Sequence, residues 1–138
     1  MACMHYLPAW RVREPYHCAM QDALPDSFAR IVGASHVLTG SDAAPYCRDW
    51  RKRHEGLALC VVKPGSTQEV AEVVKLCAAE QIAIVPQGGN TGLVVGSVPR
   101  DHGRNIVLSL QRMQTIRAID VANQTINAEA GCILQNVQ

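Results

Sequence analysis

Between Ile84 and Pro99 the chain reads Ile-Val-Pro-Gln-Gly-Gly-Asn-Thr-Gly-Leu-Val-Val-Gly-Ser-Val-Pro, with four glycines and no charged side chain. Where side chains are missing, another molecule can come within van der Waals distance of the backbone. Successive amides of such a segment can converge into an anion-binding nest. The chemistry on offer is therefore capture of a phosphate or pyrophosphate by main-chain N–H groups. A ligand-free, glycine-rich turn between two strands is the competing reading, since glycine clusters mark turns. Two features favour the cradle. The segment lacks the charged residues of a solvated turn, and it follows an apolar, β-branched run, at the carboxyl end of a strand, where ligands of α/β units collect.

In this reading Gly88, Gly89, Asn90, Thr91 and Gly92 supply backbone donors, helped by the Thr91 hydroxyl and the Asn90 amide. Leu93 walls the apolar part of the ligand, Gly96 permits close approach and Ser97 adds a hydroxyl. A hydrogen bond to a charged oxygen is worth about 1.5–3 kcal/mol net, so a few of them anchor a ligand without a lysine in the loop. Two common phosphate loops are excluded. The dinucleotide fingerprint G-x-G-x-x-G opening a helix does not fit Gly88, Gly89 and Gly92, and Leu93 to Pro99 is a poor helix start. A P-loop needs a lysine after its last glycine, and no lysine follows Lys75.

The elements that must position this loop are legible on both sides of it. Ala58 to Lys63 reads as a strand ended by Pro64-Gly65. Ser66 then caps a helix, with Glu69 completing a capping box. Val70, Val73, Val74 and Cys77 recur at helical spacing as one buried stripe. Ile82 to Val85 is the next strand, so strand, helix and strand form a right-handed parallel βαβ unit. Asn105 to Leu110 is a third strand, Arg112-Met113 a bend, and Thr115–Asp120 with Thr125–Ala130 a β-hairpin. The fold class is α/β (α+β), a parallel βαβ unit followed by a hairpin. Upstream, Pro25 to Gly33 is a short helix with Phe28, Ile31 and Val32 on its apolar face. Leu38 to Ala44 is a turn-rich connector, and Pro45 to Arg51 a second short helix. Arg48, Arg51, Lys52, Arg53 and His54 read as a solvated basic face. Ile133 to Gln138 reads as the first turn of a helix.

Composition narrows the function classes. With 138 residues, a formal net charge of +1 and 4% aromatic residues, the chain lacks the basic, stacking surface of a nucleic-acid binder. No apolar run reaches bilayer-spanning length. The six cysteines, Cys3, Cys18, Cys47, Cys60, Cys77 and Cys132, form no CxxC pair, and the five histidines lack metal-ligand spacing. Isolated thiols in apolar patterns point to a reducing compartment, read here as cytoplasmic. Arg11 and Arg13 hint at a transit peptide, but Glu14 and the nearby prolines argue against one. Met20 offers a second start codon. Asp120 and Glu129 read as hairpin-edge or solvent-facing carboxylates, leaving no catalytic residue to name and no metal ligand.

The spaced motifs Pro86-Gln87-Gly88-Gly89-Asn90-Thr91-Gly92-Leu93 and Gly96-Ser97-Val98-Pro99 resemble the flavin pyrophosphate loop of the vanillyl-alcohol oxidase / p-cresol methylhydroxylase flavoproteins. The resemblance is nearest to the D-2-hydroxyglutarate dehydrogenase, D-lactate dehydrogenase and glycolate oxidase large-subunit branch. It extends through Leu110-Gln111-Arg112-Met113 and Ala128 to Leu134, and back to Asp49-Trp50. Val95 departs from it, standing where the family's loop has glycine. The resemblance implies the first lobe of a p-cresol-methylhydroxylase-type FAD-binding domain, with Pro86, Gln87, Gly88 to Leu93, Gly96 and Ser97 holding FAD. Covalent relatives carry histidine where Asn90 stands, and an amide is no nucleophile for that linkage, so the FAD is expected to be non-covalent. It also implies oxidation of a small D-2-hydroxy acid to the 2-oxo acid with a separate electron acceptor, D-lactate or glycolate being alternative substrates. The residues that grip and deprotonate that substrate would lie beyond Gln138. The expected organisation is a poorly ordered extension over 1–19, a helical lead-in over 20–54 and a truncated lobe over 55–138. Such a fragment would self-associate through uncovered edges, as a possible homo-oligomer. The alternative from another class is a stand-alone, non-catalytic nucleotide- or anion-binding module.

Overall fold

A computed structural model of the protein describes residues 16–100 and 104–138, with side chains from Leu24 onward. Helix α1 spans Tyr16–Val32 and places Leu24, Phe28 and Val32, four residues apart, in the core. It begins well before the expected start at Pro25, which lies inside it. An interior proline removes a main-chain bond and crowds the preceding turn, so proline alone suggested a start. Of the extension expected over 1–19, residues 16–19 lie in α1 and residues 1–15 lie outside the described residues. Gly33 ends the helix at φ 88°, its N–H donating to Ala29 O at 2.9 Å.

Strand β1, Val37–Leu38, follows, then helix α2 over Gly40–Ala43 and a 3₁₀ turn over Ala44–Cys47. These turns correct the expected connector over 38–44 and helix over 45–51: helical backbone comes earlier and stops at Cys47. Strands β2 (Val61–Val62), β3 (Ala83–Gln87) and β4 (Asn105–Ser109) complete a sheet in the order β1-β2-β4-β3. β1 is antiparallel to β2, and β4 is parallel to both β2 and β3, with Val61 opposite Val107 and Ile84 opposite Ile106. The expected strand over 58–63 shrinks to two residues of ladder, extended by Leu59 N–H to Asn105 O and Val107 N–H to Cys60 O. The strand–helix–strand unit is present with one refinement: β4 lies between β2 and β3.

All five residues of β4 are buried, as a parallel strand covered on both faces requires. Val62, Ile106 and Leu108 face α1 and helix α3 (Thr67–Ala79), packing with Phe28, Val73 and Cys77. Val61 and Val107 face the other way, against Ala43 and Cys47. Ser66 caps α3 as expected, its Oγ accepting from Glu69 N–H at 3.2 Å. The Glu69 carboxylate closes the box one residue earlier, accepting from Gly65 N–H at 2.8 Å. Val73 and Cys77 form the buried stripe with Val70 and Leu76 beside them, whereas Val74 is 41% exposed and drops out of it.

After the bend at Gln111–Arg112, strands β5 (Ile116–Asp120) and β6 (Thr125–Ala128) form the expected antiparallel hairpin. Helix α4, Leu134–Val137, is the short turn read near the end of the sequence.

Candidate functional site

The glycine segment leaves the carboxyl end of β3, at the edge of the sheet. Pro86 sits in that edge strand, where a missing N–H is tolerated. Gln87, only 2% exposed, fastens the base of the loop: its Nε2 donates to Tyr46 O at 2.9 Å and to Ser97 O at 2.8 Å. Asn90 closes it from inside. Its Oδ1 accepts from Ser97 Oγ at 2.8 Å, and its Nδ2 donates to Arg48 O at 2.8 Å. Three of the expected site residues thus have side chains engaged in shaping the loop. Thr91 and Leu93 are exposed.

Where the loop amides go matters more. Among the described residues, the main-chain N–H groups of residues 88 to 97 donate to no protein acceptor, the first inward bond being Val98 N–H to Val95 O. An added Cβ separates the glycines into two kinds. At Gly56 it would meet Pro99 O at 1.9 Å, and at Gly131 it would meet Leu110 O at 1.8 Å, so these glycines are required by packing. At Gly88, Gly92 and Gly96 it would meet nothing within 4 Å, and at Gly89 only Thr91 Cγ2 at 4.0 Å. The loop glycines bare their backbone toward open space. Nor do they carry the left-handed backbone that glycine suggests: Asn90 (φ 52°) and Val95 (φ 63°) do. Asparagine accepts that region readily, but a β-branched residue is strained there. Val95 stands where the resembling loop has glycine, and its backbone lies in the region that glycine adopts freely.

Two clefts meet at Gly89. One, of about 660 Å³, includes Gly88, Gly89 and Thr91 together with Lys63, Arg112 and Leu134. Arg112 is held there by donation to Lys63 O at 2.7 Å and a 3.6 Å ion pair with Glu69. These two cations, contributed from outside the loop, escaped the sequence reading, because no spacing brings Lys63 or Arg112 to Gly88. The other cleft, of about 790 Å³, runs between Gly89 and Asn90 and the segment that carries Ala44, Pro45, Arg48 and Trp50. Here the basic run is arranged around Asp49. Its carboxylate accepts from the N–H groups of Arg53 and His54, each at 2.7 Å, and of Arg51 at 3.1 Å. Those donors hold the Asp49 carboxyl below its ordinary range, the His54 amide contributing most.

Asp120 and Glu129 serve the hairpin. Asp120 accepts from the N–H and Nδ2 of Asn123 and caps the hairpin turn, and these bonds lower its pKa. Glu129 accepts from Thr115 N–H and Arg117 Nη2 and is likewise lowered, chiefly by the Thr115 amide. Glu129 is mostly covered rather than solvent-facing, its side chain being 11% exposed. Burial raises the thiol of Cys60 to about 12 and that of Cys77 to about 11. Both are unreactive core groups.

A profile of the FAD binding domain matches residues 58–138. The chain is 35% identical over 126 residues to a probable mitochondrial D-2-hydroxyglutarate dehydrogenase of Oryza sativa subsp. indica, an alignment that takes in 91% of this chain and 22% of that protein. It is 34% identical over 132 residues to a putative mitochondrial D-lactate dehydrogenase of Schizosaccharomyces pombe, covering 90% of this chain and 25% of that one. The chain therefore spans about a quarter or less of the length of these relatives. Among solved structures, alkyldihydroxyacetonephosphate synthase superposes with a TM-score of 0.68 at 18% identity, over 81% of this chain and 24% of the other. Substrate-bound p-cresol methylhydroxylase superposes with a TM-score of 0.59 at 24% identity, over 78% and 21%. These likenesses establish the p-cresol-methylhydroxylase-type fold. The relatives' mitochondrial names overturn the cytoplasmic location expected above. Reduced, isolated thiols could not separate one reducing compartment from another.

Proposed function

Because the chain belongs to the FAD binding domain family, we propose that it holds FAD non-covalently, the diphosphate resting on the main-chain N–H groups of Gly88 to Gly92. The observation that carries this reading is the row of unengaged loop amides beside glycines whose missing Cβ atoms leave open space. Lys63 and Arg112 add positive charge on the same side of the loop as Gly88 and Thr91. Gln87, Asn90 and Ser97 hold the donors in place beforehand, which lowers the ordering cost of binding. With its oxygen bonded to Ser97 and its nitrogen to Arg48 O, Asn90 is suited to shaping the loop and not to a covalent link.

The whole enzyme is proposed to be an FAD-dependent oxidoreductase of mitochondria that converts a D-2-hydroxy acid to the 2-oxo acid. This chain would be its amino-terminal part. Support comes from relatives whose names specify D-2-hydroxyglutarate and D-lactate, both of that substrate class. Held on the amides of Gly88 to Gly92, FAD would supply the hydride-accepting chemistry of such an oxidation. The part of this chain's own residues is to grip, orient and shield the cofactor. The carboxylates Asp120 and Glu129 are engaged by Asn123, Thr115 and Arg117, which suits them to holding the hairpin.

The test is equilibration of the chain with FAD, removal of free flavin and an absorbance scan, followed by acid precipitation. The expected result is a retained flavin spectrum whose colour leaves with the supernatant. A colourless protein would remove the reading, and flavin that stays with the precipitate would contradict non-covalent attachment.

A further inference from the structure

Gly65 differs from the other described glycines that packing constrains. At Gly56 and Gly131 an added Cβ would run into main-chain carbonyls. At Gly65 its three nearest neighbours would all belong to one side chain, the Arg112 guanidinium: Nη2 at 2.8 Å, Cζ at 2.9 Å and Nη1 at 3.3 Å. The guanidinium therefore lies directly on the bare α-carbon. No left-handed backbone calls for glycine at this position. A guanidinium is planar and more weakly hydrated than an ammonium, which suits it to a flat, side-chain-free seat.

The seat is itself fixed. Pro64 beside it is fully buried, and Lys63 N–H donates to His36 O at 2.9 Å. Lys63 O in turn accepts from Arg112 Nη1 at 2.7 Å. One oxygen of Glu69, Oε2, accepts from Gly65 N–H at 2.8 Å and lies 3.6 Å from Arg112 Nη1. That ion pair is long, and its side chains are 32% and 30% exposed, so it adds little of its own. The bond to Lys63 O and the flat contact on Gly65 set where the charge sits. Arg112 and Lys63 line the cleft that also contains Gly88, Gly89 and Thr91. We propose that Gly65 is a positioning residue: its missing side chain seats the Arg112 guanidinium and thereby fixes a positive charge at the cleft of the glycine loop. The inference rests on the diphosphate reading of that loop, and adds to it a residue that does not line the cleft itself.

The test is a double-mutant cycle of G65A and R112A in the full chain. It is read by ADP titration, by melting temperature and by the side-chain Nε–H signal of Arg112 in ¹⁵N-labelled protein. A guanidinium on a flexible stem gives way where a carbonyl cannot, so G65A should fold and melt close to wild type. It should weaken ADP about tenfold, as expected for displacing one charged hydrogen-bonding group. In the R112A background the same substitution should change ADP affinity by about twofold at most, because the atoms it would meet are gone. The wild-type Arg112 signal should shift on saturation with ADP, and G65A should lose that shift. Equal weakening by G65A in both backgrounds would overturn the proposal. So would wild-type affinity or an unaltered Arg112 shift in G65A, an Arg112 signal that ADP does not move in the wild type, or a G65A chain that fails to fold. If the wild-type chain binds no ADP, the loop reading itself falls and takes this inference with it.

Discussion

Replacing Gly89 by alanine separates folding from binding at one methyl group. The new Cβ would have a single neighbour, Thr91 Cγ2 at 4.0 Å, and Gly89 does not use the left-handed backbone region. Alanine therefore fits the folded loop and restricts the unfolded chain, which should add about 0.4–1 kcal/mol of stability. For a chain of this size that raises the melting temperature by about 1–4 °C. Binding should move the other way. Gly89 lines both clefts, so the methyl group stands where the diphosphate would approach the amides. Losing one hydrogen bond to a charged oxygen costs about 1.5–3 kcal/mol, or about 10- to 150-fold in affinity. Thermal melts and FAD titration of the same preparation read both effects. Gly56→Ala is the control for a packing glycine: its Cβ would meet Pro99 O at 1.9 Å, so it should lower the melting temperature outright. A Gly89→Ala protein that melts at or above wild type and binds FAD as tightly would refute the cradle.

Val95→Gly should relieve a β-branched residue at φ 63°. The strain is about 1–3 kcal/mol and glycine's entropy cost about 0.5–1 kcal/mol, so a modest net gain in urea stability is expected, and a clear loss would show that the Val95 side chain matters more than its backbone. The lowered pKa of Asp49 means that its contribution to stability is complete above the ordinary carboxyl value of 3.8 and disappears as pH falls through the lower folded value. Urea midpoints followed from neutral pH into acid should fall more steeply for wild type than for Asp49→Asn, and parallel curves would remove Asp49 from that role. Cys60 and Cys77 carry the opposite sign, since burial raises their folded values from 9.0 to about 12 and about 11. Their contribution is present below pH 9 and is lost as pH rises toward those values, which alkaline melts should follow. Mass spectrometry after alkylation should find both thiols unlabelled until urea unfolds the chain, and labelling in the native state would contradict their burial.

Much of this was readable from local pattern. The Ser66 cap, the Val73–Cys77 stripe, the hairpin turn and the position of the glycine loop after β3 each depend on residues close together in sequence. The missing parts are non-local. Tyr46 O and Arg48 O hold the loop across separations of 41 and 42 residues, and no spacing rule reaches that far. Arg48, Arg51, Lys52, Arg53 and His54 read as a solvated basic face, although the amides of Arg51, Arg53 and His54 build a turn around the Asp49 carboxylate. Pro25 looked like a helix start because proline favours the first turn, while the Leu24, Phe28 and Val32 stripe carries the helix through it. The loop glycines suggested backbone freedom, but their use here is empty space, and Asn90 and Val95 make the turns.

The loop amides, unengaged among the described residues, are proposed to bind a diphosphate. Amide NMR of the ¹⁵N-labelled chain during titration with ADP tests it at the atoms concerned. The expected result is saturable downfield shifts concentrated on the N–H groups of Gly88 to Gly92. Binding that leaves those amides unmoved while shifting others, or no binding at all, would contradict it.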